Sequence, residues 1–454
     1  MFIKSLSLEN FRCFQKADID FGKITLLTGA NNSGKSSLIY SLLLMLQSKD
    51  FPFYLSPNGK YINLGSFKDL IFGHDNSTCL SIRGTFGKDL EIDTDLWNHE
   101  TKWAEHEEDK LTIASEIKIA SERVQLDIRK KNDQYNLDLE YPILYNYQKE
   151  VWENLESIEN IKKAIGGIKG NGTRFIKNAI FDSIDDIFVK LDPSKPLEGG
   201  YNLINTIRWP FEEINRTLNY IQSYTEPPQR IYYRMPKAPD KIESNGEGYT
   251  HQILEWQQNK SSEYNQLVEA LRTFELLHEI KDGSLNGGMY ELLVKTQKHS
   301  PYVSLPDIGF GVSKLLPMIV ADLQLPHGSI LAVSEPESDL HPKVQAGLAD
   351  YFLKMLIGCK DWKQFIKQNK RPIEAKKQYI IETHSEYLLN RFRLLIAQQK
   401  MSPSDLVVYY FENDGMETKT HKIEFTRDGQ ILNAPPGFFE TYMIDVMDIA
   451  MAAE

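Results

Sequence analysis

ITLLTGANNSGKSSLIYSLLLML, residues 24–46, decides the fold. An apolar run rich in β-formers, Ile24 to Leu27, meets Gly29-x-x-x-x-Gly34-Lys35-Ser36, and helical spacing follows at Leu38, Ile39, Leu42, Leu43 and Leu46. Strand, glycine loop and helix stand in the order that a phosphate-cradling P-loop needs. Glycines let backbone N–H groups close around phosphate oxygens, and the helix N-terminus adds partial positive charge. Lys35 is the candidate for the β/γ-phosphates, and Ser36, directly after it, is the candidate Mg²⁺ ligand rather than Ser37. Gly29, Asn31, Asn32, Ser33, Gly34, Lys35, Ser36 and Ser37 are thus the nucleotide-binding candidates, with ATP and Mg²⁺ as cofactors.

Outward from this stretch, composition sets limits. The chain has 454 residues, 41% hydrophobic and 25% charged, ordinary values for a globular protein with room for two or three domains. A net charge of −11 argues against a protein that coats nucleic acid wholesale. Cys13, Cys79 and Cys359 lie far apart, which points to a reducing compartment and no zinc site. The longest strongly apolar segment is far short of the roughly 18 residues that span a bilayer, and the start is unlike a secretory signal. A cytoplasmic protein without membrane contact is expected.

Residues 1–27 alternate as two strands leading into the P-loop strand, with Phe2, Ile3, Leu6 and Leu8 and then Ala17, Ile19 and Phe21. Residues 61–86 again read as strand and turn. Between 95 and 225 glycine becomes sparse, charges interleave, and Val151, Leu155, Ile158 and Ile161 fall at helical spacing. This stretch is expected to be an inserted, mainly helical arm. The domain reading is therefore 1–95 for the first part of an ATPase core, 96–225 for the arm, and 226–454 for the remainder.

Two basic runs stand out. Residues 161–177 hold Lys162, Lys163, Lys169, Arg174 and Lys177 with no acid, and residues 360–377 hold seven Lys/Arg against Asp361 and Glu374. Solvated faces are the plainer reading, and a phosphate-backbone or acidic-partner contact the functional one.

Three later motifs complete a site. Gly309-Phe310-Gly311-Val312-Ser313 opens a helical run, making Gly309, Gly311 and Ser313 candidates for a second anion-binding helix end. Residues 329–342, SILAVSEPESDLHP, read as a buried strand ending at an acid, the Walker B arrangement, in which one carboxylate holds the Mg²⁺ shell and the next orients the attacking water; by the register of the family resemblance given below, Glu335 is the latter. Residues 378–386, QYIIETHSE, form another buried strand ending at His384.

In this order the motifs resemble the ABC-type ATPases of the SMC/RecF and OLD-like branch, within the AAA family ATPases. The resemblance covers roughly residues 1–95 and 226–440. It implies that Arg12 lies near nucleotide, that Gly309 to Ser313 is a signature completing the site of an opposite subunit, that His384 is a γ-phosphate switch, and that His341 lies in a loop crossing a dimer interface. The chain departs from the pattern at Ser334, where an acid of the Mg²⁺ shell is expected. Weaker metal binding and slow hydrolysis are then expected, because Pro336 turns the next acid, Glu337, away.

An α/β core with a mixed sheet and a head-to-tail dimer or higher homo-oligomer on ATP follows from the resemblance. The spelling is similar to the ATPase subunits of anti-phage defence systems such as Septu and PARIS, which implies a sensor or scaffold for a separate effector nuclease. A RecF-like repair ATPase that binds DNA is the rival reading. An OLD-type nuclease is disfavoured, since about seventy residues follow His384 and carry no acidic cluster of a Toprim domain. A transporter ATPase is disfavoured by the arm.

Overall fold

The computed structural model describes residues 1–90, 95–106, 110–122, 124–131, 133–142, 155–156, 158–169, 173–191, 203–358, 377–436 and 438. Cys359, Val151 and all of the second basic run except Lys377 lie outside them. Strands are numbered in chain order: β1 Phe2–Phe11, β2 Phe14–Asp20, β3 Ile24–Gly29, β4 Tyr54–Leu55, β5 Leu80–Gly87, β6 Trp97–Glu105 and β7 Thr112–Ala120. Then come β8 Gln125–Lys131, β9 Gln134–Pro142, β10 Ile165–Lys169, β11 Thr173–Phe181, β12 Leu218–Ile221, β13 Tyr232–Tyr233 and β14 Glu279–Ser284. The series ends with β15 Met289–Lys295, β16 Val303–Ser304, β17 Ser329–Ser334, β18 Lys377–Glu382, β19 Leu406–Asn413, β20 Thr418–Phe425 and β21 Ile431–Leu432.

Two compact units account for the described residues. The first takes Met1–Phe21, Ser36–Arg216 and Asn413–Lys419, and the second Gly22–Lys35, Thr217–Glu412 and Thr420–Glu454. In the first, one antiparallel sheet runs β10-β11-β9-β8-β7-β6-β5-β1-β2, with β4 beside β7. Its core is aromatic: Trp103, Phe53, Phe86 and Phe181 are fully buried, and the Trp103 Nε1–H donates to the Pro52 carbonyl at 3.0 Å.

The mainly helical arm expected at 96–225 is corrected here. Strands β6 to β11 continue the sheet of β1 and β5, so the border drawn at residue 95 falls within one sheet. Helices in that stretch include Glu159–Lys162, Ile184–Leu191 and Leu203–Thr217, with Leu155 and Glu156 also helical. The helical spacing at Leu155, Ile158 and Ile161 marks a local segment, with Leu155 helical and Ile161 inside Glu159–Lys162, and does not extend to the strands on either side of it. The β6–β7 register shifts between Lys102 and Trp103, so buried positions in β7 step from Ala114 to Ile117. The β11–β9 register shifts between Ile176 and Ala179 in the same way. A bulge adds one residue to a strand, and a step of two becomes a step of three.

The second unit is built on the sheet β12-β17-β18-β3-β19-β20-β21. Strands β12, β17, β18, β3 and β19 are parallel, and β19 and β20 are neighbours in the same sheet. Every residue of β3, β17 and β18 is buried, as befits parallel strands covered on both faces. Helices Phe310–Gln324, Pro342–Ile357 and Glu386–Ala397 contribute Leu316, Ile319, Leu348, Phe352, Leu388 and Phe392 to a single apolar cluster with Leu331, Tyr379 and Ile381. A small antiparallel sheet of β13, β15, β14 and β16 joins the same cluster through Tyr290, Leu292 and Val294.

Candidate nucleotide site

Three parallel strands end side by side, and the loops after them carry the chemistry. β3 lies next to β18, and β18 next to β17, with Ser334 opposite Glu382 and Leu27 opposite Glu382 on the other side. Ligand sites of open parallel sheets form at such C-terminal ends.

Gly29 leaves β3 at φ 145°, and a Cβ there would stand 2.3 Å from the Phe411 carbonyl oxygen and 2.9 Å from the Ser33 Oγ. Only glycine fits that approach. Asn32 and Gly34 also take positive φ, 60° and 98°, closing the loop before the helix Lys35–Gln47. Asn31 and Asn32 are exposed, whereas Ser33 is buried with an Oγ that has no hydrogen-bond partner. The Lys35 ammonium folds into the loop and donates to the carbonyls of Ala30 at 2.7 Å and Gly29 at 3.1 Å. A ring of loop backbone, one orphaned hydroxyl, an ammonium and a fresh helix N-terminus is a donor set suited to a polyphosphate.

Around Lys35 the later strands bring acids and a histidine. Burial lowers the Lys35 pKa, and the carboxylates of Glu382, Glu335 and Glu337 pull it back up. Glu335 sits at φ 49°, a left-handed conformation that costs energy for a side-chain-bearing residue and marks a candidate functional position. Its Oε1 is 3.9 Å from the His384 Nε2, and its Oε2 accepts from the Ser338 hydroxyl at 3.2 Å. His384 is lowered by burial first and by the Lys35 charge second, against Glu335 and Glu382.

Ser334 and Glu337 do more than their spelling announced. The Ser334 hydroxyl donates to the Glu382 Oε2 at 2.8 Å and lies 3.3 Å from the Tyr220 hydroxyl. Glu337 is not turned away by Pro336: it is buried, its Oε1 accepts the His384 backbone N–H at 2.7 Å, and its Oε2 has no hydrogen-bond partner. Burial raises its carboxyl, and the His384 N–H opposes the rise. Glu382 and Glu337 are the residues that sequence reasoning missed. An acid at the last position of a buried strand was the available signal for Glu382.

The remaining candidates divide. Gly309 caps the helix Phe310–Gln324, where Gly311 is needed because a Cβ would stand 2.7 Å from the Asp339 carbonyl oxygen. Ser313 is a buried residue of its first turns, while Phe310 is 68% exposed. His341 caps Pro342–Ile357, its Nδ1 accepting the Lys343 N–H at 3.3 Å. Ser36, Ser37 and Arg12 belong to the first unit, where the Arg12 guanidinium lies 5.9 Å from the centre of the Tyr40 ring. The first basic run is partly neutralised in space: Lys163 pairs with Glu159 at 2.8 Å, Lys177 with Asp138 at 3.6 Å, and Arg174 with Glu156. Among the described residues no helix is long and apolar enough to cross a membrane.

Parallel-stranded α/β architecture with a glycine loop at the end of its central strand defines a P-loop ATPase core. The model of the AAA ATPase domain matches residues 1–389, and the chain belongs to that family. No curated protein matches the sequence. Among solved structures it is similar to the Smc head domain with an extended coiled coil bound to the C-terminal domain of ScpA derived from Pyrococcus furiosus, at 12% identity, 99% coverage of each chain and TM-score 0.44. It is also similar to the SMC head domain from Thermotoga maritima, at 11% identity over 93% of this chain and 100% of that one, TM-score 0.35.

Proposed function

We propose that this chain binds ATP with Mg²⁺ at residues 29–36 and hydrolyses it slowly. In this reading it pairs head-to-tail with a second copy on ATP and acts as a sensor or scaffold for a separate effector, a nuclease, in anti-phage defence. The observation that carries the ATPase part is the gathering of Glu335 and His384 about Lys35 at the ends of β3, β17 and β18. Lys35 offers charge to the β/γ-phosphates, and Ser36, next in sequence, a hydroxyl to the metal. Glu335 orients a water toward the γ-phosphorus. The water oxygen bonds to phosphorus as the bridging oxygen leaves with ADP, and the water proton passes to the carboxylate or the phosphate product. His384, its backbone held by Glu337, offers a hydrogen bond to the γ-phosphate. Magnesium, when bound, offsets charge between the β- and γ-phosphates.

The exposed opening of the Phe310–Gln324 helix supports pairing, since a signature that serves another subunit must be open to it. Mixing subunits tests this. Lys35→Ala and Ser313→Arg proteins, each unable to dimerise alone on ATP, should regain dimers in light scattering when mixed, held by one intact composite site. Full ATP-dependent dimerisation by either variant alone contradicts the head-to-tail geometry. Resemblance to the defence ATPases supports the effector role, and co-purification of a nuclease with the ATP-bound dimer tests it.

A further inference from the structure

We propose that Glu382 supplies the carboxylate of the Mg²⁺ shell that Ser334 lacks, so that the acid and the hydroxyl have exchanged places between two adjacent strands. This inference rests on the ATP-site reading above. Ser334 and Glu382 are register partners at the last positions of β17 and β18. Both are buried, and the Ser334 hydroxyl holds the Glu382 Oε2 at 2.8 Å while the Tyr220 hydroxyl lies 3.3 Å from that of Ser334. An acid moved by one strand still ends beside β3, the strand that leads into the phosphate loop.

Burial makes the placement costly without a cation, because a carboxylate taken from water needs charge compensation. Three carboxyl groups, Glu335, Glu337 and Glu382, act on the single ammonium of Lys35, and Glu382 acts on it most strongly. A divalent cation offsets the surplus. Two further groups point to a ligand: the Ser33 Oγ within the loop and the Glu337 Oε2 are both buried without hydrogen-bond partners. Glu337 is tied by its Oε1 to the His384 backbone, whereas Glu382 stands at the end of the strand beside β3 with its Oε2 oriented by the Ser334 hydroxyl. One carboxylate is enough for Mg²⁺, which keeps waters and substrate phosphates in its shell.

Titration of a fluorescent ATP analogue against Mg²⁺, and again in EDTA, separates the outcomes. Glu382→Gln keeps the shape and an acceptor for Ser334 but removes the charge. It should raise the Mg²⁺ needed for half-saturation by about ten-fold or more, and in EDTA it should tighten nucleotide binding, since a carboxylate that repels phosphate is gone. A merely damaged fold would weaken both. Ser334→Asp combined with Glu382→Thr should restore the parental Mg²⁺ response. An unchanged Mg²⁺ requirement in Glu382→Gln, or a raised requirement in Glu337→Gln alone, overturns the assignment while leaving the ATP site standing. A parent protein that binds no nucleotide with or without Mg²⁺ overturns both.

Discussion

Strands β9 and β17 are both built for burial, yet they bury in different ways. In β9, Tyr135, Leu137, Leu139 and Tyr141 point inward while Asn136, Asp138 and Glu140 between them stay partly exposed. In β17 all six residues from Ser329 to Ser334 are buried. An antiparallel strand with one wet face can spend its polar residues on solvent and on neighbours, as Asp138 does on Lys177. A parallel strand covered on both faces has no such outlet, and its polar chemistry is pushed to its C-terminal end. There Ser334, Glu335, Glu382 and His384 collect.

That contrast can be broken in order of size. Trp103→Ala removes a fully buried indole and its bond to the Pro52 carbonyl, and should destabilise the first unit by about 3–5 kcal/mol. Denaturant unfolding measures it. Nucleotide affinity of the folded fraction should stay within about two-fold; a hundred-fold loss, equal to about 2.7 kcal/mol, would place the aromatic sheet in the nucleotide site.

A smaller effect concerns acid. His99 in β6 is fully buried among Phe51, Phe211 and Trp103, and burial pushes its pKa down to about 3. The unfolded imidazole takes its proton near pH 6.5, while the folded one refuses it. Stability from this group is therefore present above about pH 6.5 and lost as pH falls toward 3, by up to about 1.4 kcal/mol per pH unit. His99→Gln should flatten that part of the pH–stability curve. An equally steep curve in the variant would assign the acid sensitivity elsewhere.

Much of the second unit was legible because its signals are local. Glycine positions, the lysine after them and all-apolar strands ending in acid or histidine each have one physical reading, and β3, β17, β18 and the helices after them follow it. The first unit was legible only at its start. Strands β1 and β2 stand where they were expected, but the helical spacing of Leu155, Ile158 and Ile161 marks only a local segment ending at Glu159–Lys162, and in the strands around it bulges set Ala114 to Ile117 and Ile176 to Ala179 three apart, which blurs their alternation. Within the site, the role of Ser334 was read along its own strand, and the acid that answers it lies across the sheet. No spacing within one strand encodes which residue of another strand stands opposite. The inward turn of Glu337 escaped for a related reason: its partner, the His384 N–H, is distant in sequence.

ATP binding and phosphate release by the parent protein, Lys35→Ala and Glu335→Gln, measured side by side, bear most directly on the site at the ends of β3, β17 and β18. The parent should bind ATP and turn it over slowly, Lys35→Ala should bind none, and Glu335→Gln should bind ATP and hold it without turnover. Equal affinity and equal turnover in all three proteins would contradict the ATPase reading.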